Sequence, residues 1–230
     1  IAEFAGVREL DVGYAGLKDR YAETRQWFTV WMPKTEAPDF TALEHPEFRV
    51  ISQARHIKKL RPGDLLGNRF QILLREVKGD RTAIERNLSL VQQYGVPNYF
   101  GPQRFGLAGD NVANGMAMLK REIRVRNKKK KGIYLSSVRS FLFNEVLAAR
   151  IRSGLWGQSL TGDILTDEGV ATGPMWGRGR LTTTDDALAL ESEIAAQHPE
   201  LCEGLEFSGL NQDRCALAAM PGNMTWSWPE

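Results

Sequence analysis

The chain has 230 residues, 42% of them hydrophobic and 25% charged, with a formal net charge of +2. That is the composition of a globular protein long enough for one or two hydrophobic cores. No run approaches the ~18 apolar residues of a membrane-spanning helix, and Ile1-Ala2-Glu3-Phe4 lacks the basic start and apolar stretch of a signal peptide.

Gln26 to Met32, rich in aromatic and β-branched residues, predicts a strand that stops at Pro33, and Pro33 to Pro38 reads as a loop. Phe48 to Ala54 predicts a second strand. Asn68 to Val77 predicts a stronger third one, with Phe70, Ile72 and Leu74 alternating with Arg69, Gln71 and Arg75. A helix follows over Thr82–Tyr94, with Ile84, Leu88, Val91 and Tyr94 near helical spacing and Gly95 as its C-terminal cap. After a loop dense in glycine and aromatics, VPNYFGPQRFGLAGDN, a short helix is expected over Asn111–Lys120. A longer helix is expected over Ser136–Arg152, capped by Ser136 or Ser137, with Leu135, Val138, Leu142, Val146 and Ile151 on one face. Gly154 to Leu181 is glycine-rich and aperiodic, Asp185–His198 reads as a helix capped near Thr184, and Met224 to Trp228 alternates like the start of a strand. The mixture predicts an α+β fold rather than a doubly wound sheet.

The small net charge hides an uneven distribution. Between Lys120 and Lys131, eight of twelve residues are basic: Lys120, Arg121, Arg124, Arg126, Lys128, Lys129, Lys130 and Lys131. Arg55, His56, Lys58, Lys59 and Arg61 form a second cluster. One such cluster is ordinarily a solvated charged loop; two point towards a polyphosphate backbone, whose counterions they would release. Cys202 and Cys215 have no metal-ligand spacing and are expected as reduced thiols, while His45, His56 and His198 are scattered. There is no HExxH, no GxSxG, and no HxE with PCxxC of a zinc deaminase, so neither a metal nor a cofactor is expected.

Two stretches carry chemistry. In Gly16-Leu17-Lys18-Asp19-Arg20 a carboxylate sits in a turn between two cations that would hold it ionised; taken alone, most such aspartates are surface turn residues. Val96 to Gly106, VPNYFGPQRFG, does not follow GxGxxG. It does combine aromatic faces, an amide and a cation on a glycine-kinked loop, which suits a flipped base. The competing reading buries Tyr99, Phe100 and Phe105 as core under a long loop.

YAGLKDRYAETRQ resembles the FAGxKDxxAxTxQ motif of the TruD family of tRNA pseudouridine synthases. VPNYFGPQRFG resembles that family's PNYFGxQRFG block, LRPGDLLGNRFQILLRE its LxxGxxxGNxFxIxLR segment, and LSSVRSFLFNEVLAARI its RSxLFN helix, with MTWSW a weaker match to a later return strand. The four motifs occur in order over about residues 1–152. The resemblance implies a cofactor-free isomerisation of a tRNA uridine, at position 13, to pseudouridine. Asp19 matches the catalytic aspartate of the KD motif, with Lys18 beside it expected to bind substrate, Asn98 the asparagine that contacts the nucleotide, and Phe100 the aromatic that packs against the flipped base. It also implies a catalytic α+β domain over residues 1–123, a family-specific insertion over 124–218, and a return into the catalytic domain over 219–230. Arg124, Arg126 and Lys128 to Lys131 would then grip tRNA at the junction. The family pattern continues before Ile1 and after the return strand and is longer between Gly169 and Thr172, so a protein with these ends alone is expected to be inactive. A monomeric cytoplasmic enzyme acting on tRNA is expected; the alternative is a catalytically silent RNA-binding protein of the same fold.

Overall fold

The computed structural model describes residues 1–19, 21–33, 36–106 and 108–228, which form two compact units, Ile1–Val77 and Lys78–Glu230. Arg20 and part of the Pro33–Pro38 loop lie outside the described residues, as does Leu107 of the aromatic loop.

In the first unit, β1 (Val12–Tyr14) pairs antiparallel with β2 (Phe28–Val30), with Gly13 opposite Thr29. Gly13 is the one fully buried residue among the described residues of this unit. A Cβ there would lie 2.4 Å from the Leu60 carbonyl oxygen and 2.8 Å from the Thr29 hydroxyl, so only glycine lets the 59–60 segment lie across the ladder. Two bonds fasten that segment: Leu60 N–H donates to Thr29 Oγ1 at 3.0 Å, and Lys59 Nζ donates to the Leu10 carbonyl.

The strand expectations need correction here. Gln26–Met32 is a ladder only over Phe28–Val30, and neither Phe48–Ala54 nor Asn68–Val77 forms a strand ladder with any described residue. Alternation records affinity for a half-buried sheet, but a strand exists only where a neighbour takes its N–H and C=O groups. Without that neighbour Phe70, Ile72 and Leu74 stand 71–77% exposed.

The second unit is built on local periodicity, and its helices agree better with the sequence. α1 (Arg81–Tyr94) starts at Asp80, whose carboxylate accepts from Thr82 N–H and Ala83 N–H, and ends at Gly95 with φ 72°. β3 (Val96–Pro97) follows directly. α2 (Pro102–Phe105) and α3 (Asp110–Leu119) lead to α4 (Lys128–Arg152). α4 begins two turns before the expected Ser136. Its cap is Asn127, whose Oδ1 accepts from Lys130 N–H at 3.0 Å, and Ser137 is instead buried inside the helix. β4 (Thr172–Met175) pairs antiparallel with β5 (Asp213–Ala216). Between them lie α5 (Asp185–Gln197) and the unforeseen α6 (Pro199–Glu206). β6 (Ala218–Ala219) pairs antiparallel with β3, whereas Met224–Trp228 joins no ladder.

α4 is the spine of this unit. Leu135, Val138 and Leu142 pack with Trp176, Leu201, Cys202 and Leu205, and Phe143 and Leu147 pack with Leu217. Two ion pairs are sunk into it. Arg150 and Asp163 are almost wholly buried and doubly hydrogen-bonded. Arg214 meets Glu191 at 2.6 Å while also donating to the Thr172 hydroxyl and carbonyl. The stretch near Gly169 closes as a turn, with Thr166 N–H donating to the Val170 carbonyl and Thr172 N–H to the Ile164 carbonyl. Cys202 and Cys215 are free thiols, as expected.

Candidate active site

β1 delivers the chain into Ala15-Gly16-Leu17-Lys18-Asp19. The loop is held at its root by Gly63 N–H donating to the Ala15 carbonyl at 2.8 Å. Asp19 is exposed, and its Oδ1 accepts the Tyr21 N–H at 3.0 Å in a tight side-chain turn. Lys18 Nζ donates to Asn68 Oδ1 at 2.7 Å, so it tethers the KD turn to the GN segment fifty residues on. Its four-carbon stem reaches across to that amide, and the Asp19 carboxylate stays open towards solvent. Arg20, the second expected cation, lies outside the described residues.

The aromatic loop belongs to the second unit, and bonds to the 216–217 segment fix its start. Asn98 N–H donates to the Leu217 carbonyl at 3.0 Å, and its side-chain Nδ2 donates to the Ala216 carbonyl at 2.8 Å. The Asn98 side-chain oxygen is thereby turned the other way, an acceptor suited to a nucleobase N–H. Phe100 is half-buried and edge-on to Phe143, ring centres 5.4 Å apart. Tyr99, by contrast, is 44% exposed. Phe100 thus packs against the core cluster while staying only partly buried. The Arg104 guanidinium stands 5.4 Å from the centre of that ring, and Nη1 donates to Ser136 Oγ at 3.0 Å. A Cβ on Gly101 would meet nothing within 4 Å, so the main chain there is open to close approach by a ligand.

The basic run splits into two parts. Arg124 and Arg126 lie in the linker after α3, and Lys128 to Lys131 form the exposed first turn of α4, which contains no acidic residue. Met118, Arg121, Ile123, Arg124, Val125 and Lys131 line a shallow cleft of about 360 Å³ with an apolar floor and a cationic rim. The other cluster is partly used internally, since Lys58 pairs with Asp64 at 3.6 Å and Lys59 holds Leu10.

A family model described as tRNA pseudouridine synthase D (TruD) matches residues 1–126. The chain is 38% identical to the tRNA pseudouridine synthase D of Hydrogenovibrio crunogenus over 99% of its own length and 72% of the relative's. It is 40% identical to that of Cellvibrio japonicus, over 99% of this chain and 68% of the relative. The chain belongs to the TruD family of tRNA pseudouridine synthases. A crystal structure described as a putative tRNA pseudouridine synthase D (TruD) from Methanosarcina mazei shares the fold at TM-score 0.61 and 16% identity, over 94% of this chain and 74% of that one.

Within this TruD-family chain, motif reading points to Asp19, Lys18, Asn98 and Phe100 as candidates but not to what holds them. Asn68 and Asn144 were visible only as letters of motifs. Their roles are contacts across about fifty and forty-four residues of chain, which no local spacing encodes. Among the described residues no helix is long and apolar enough to cross a membrane.

Proposed function

We propose that this TruD-family chain isomerises the uridine at position 13 of tRNA to pseudouridine, with Asp19 as the essential carboxylate. The exposed, solvent-open carboxylate at the tip of the β1 loop is the observation that carries the reading. In the reaction the C1′–N1 bond breaks, uracil turns, a C1′–C5 bond forms, and the C5 proton is lost as N1 gains one. Bond opening builds positive charge on the sugar, which a nearby carboxylate stabilises or captures covalently. The same carboxylate can instead take the C2′ proton, giving a glycal. Asn98 and Phe100 supply an acceptor and an aromatic wall for the extruded base, and Lys18 braces the turn that presents Asp19.

In this reading Arg124, Arg126 and Lys128 to Lys131 hold the tRNA backbone at the start of an insertion spanning about residues 124–218, between a catalytic domain over 1–123 and its return over 219–230. The protein acts as a monomer in the cytoplasm, without a cofactor. No described feature favours a silent RNA-binding protein. Carbodiimide mapping of tRNA incubated with the full-length protein tests the proposal: a new primer-extension stop is expected one nucleotide 3′ of position 13, the mark of a blocked pseudouridine at 13. A stop elsewhere would overturn the position, and no stop would overturn the activity.

A further inference from the structure

Both ends of one side-chain amide are committed to one residue of the aromatic loop. Phe100 N–H donates to Asn144 Oδ1 at 3.0 Å, and Asn144 Nδ2 donates to the Phe100 carbonyl at 3.0 Å. A side chain that offers donor and acceptor in one plane can close such a ring; a carboxylate, a hydroxyl or a methyl group cannot in the same way. The ring fixes the φ and ψ of Phe100 much as a neighbouring strand would.

Asn144 follows Phe143, the residue whose ring meets Phe100 edge-on. Consecutive positions of α4 therefore hold the loop residue by its main chain and by its side chain. Two turns earlier the same helix holds the far end of the loop, where Ser137 Oγ donates to the Arg104 carbonyl at 2.8 Å and Ser136 Oγ accepts from the Arg104 guanidinium. Over this stretch α4 is sunk in the two core clusters, so it is a rigid template for an otherwise irregular loop.

We infer that Asn144 is a positioning residue, setting the plane and depth of the Phe100 ring for the extruded base. The inference rests on the reading of Phe100 as the aromatic that meets that base. Asn144 acts through Phe100 and touches no reacting atom.

The test is a double-variant cycle read by single-turnover pseudouridine formation, with the full-length protein in excess over tRNA. Asn144→Ala is expected to slow the rate about 10- to 100-fold, the usual effect of misplacing a group near the chemistry. The amplitude should be unchanged and tRNA affinity within about twofold. Asn144→Asp keeps the acceptor for Phe100 N–H but loses the donor, and should fall between. Combined with Phe100→Ala, Asn144→Ala should add nothing to the slower single variant. Losses that multiply, a wild-type rate for Asn144→Ala, or a reduced amplitude at an unchanged rate would each overturn the role. A wild-type rate for Phe100→Ala would instead overturn the reading of Phe100.

Discussion

Among the described residues Asp19 accepts one backbone N–H, while its neighbour Lys18 donates to Asn68. That lysine ties the KD turn to the GN segment. Replacing Asn68 by Ala should leave Lys18 without its tether and lower the single-turnover rate about 10-fold, with tRNA affinity retained; an unchanged rate would show that the tether is dispensable. Gly13 gives a second residue-scale prediction. An alanine methyl has only 2.4 Å to the Leu60 oxygen, so Gly13→Ala should destabilise the first unit by about 1–3 kcal/mol in chemical denaturation. The aspartate and the loop aromatics could be singled out as candidates in the sequence because their motifs are local. The Asn68 and Asn144 hydrogen bonds could not, because side-chain amides look alike in sequence whether they face water or clasp a main chain.

α4 shows both what periodicity reveals and what it hides. Its apolar face over Leu135–Val146 was legible, but its first two turns were not, because Lys128 to Lys131 carry no apolar repeat. Those lysines sit at the positive end of the helix dipole with no acidic residue in the first turn, an arrangement that destabilises the helix by about 0.3–1 kcal/mol per charge. A polyanion lying on that turn would reverse the sign. Changing all four to alanine should raise thermal stability while weakening tRNA binding, and the log–log salt slope should fall by about 0.7–0.9 for each phosphate that is no longer neutralised. Weakened binding with an unaltered slope would count against a phosphate-gripping role.

α6 contributes a pH effect. Burial, and then Glu206, push the Cys202 thiol from 9.0 up to about 12. A raised folded pKa means that this contribution is intact below pH 9 and disappears as pH climbs from 9 towards 12. Denaturation midpoints should fall more steeply over that window in the wild type than in Cys202→Ala; parallel curves would contradict it.

At the scale of the molecule the two units differ in how they are stabilised. Lys78–Glu230 has two apolar clusters around α4 and two buried ion pairs, whereas Ile1–Val77 buries only Gly13 among its described residues. Amide exchange should therefore be slowest over about residues 134–150 and fast through residues 48–77. Removing one partner of a buried pair, as in Asp163→Ala, should destabilise the second unit by about 3–5 kcal/mol. The α+β class and nearly every long helix were legible, since a helix closes its own hydrogen bonds. The strands over 48–54 and 68–77 were misread, since a sheet needs partners that the pattern of one segment does not supply.

The most direct test of the central claim is tritium release from tRNA labelled at uridine C5, comparing the full-length protein with Asp19→Asn. Asn keeps the size and the turn but cannot stabilise a sugar cation, add to it or remove a C2′ proton. The wild type should release tritium and Asp19→Asn should release none above background, while still binding tRNA. Equal release from the two proteins would contradict the assignment of Asp19 as the catalytic carboxylate.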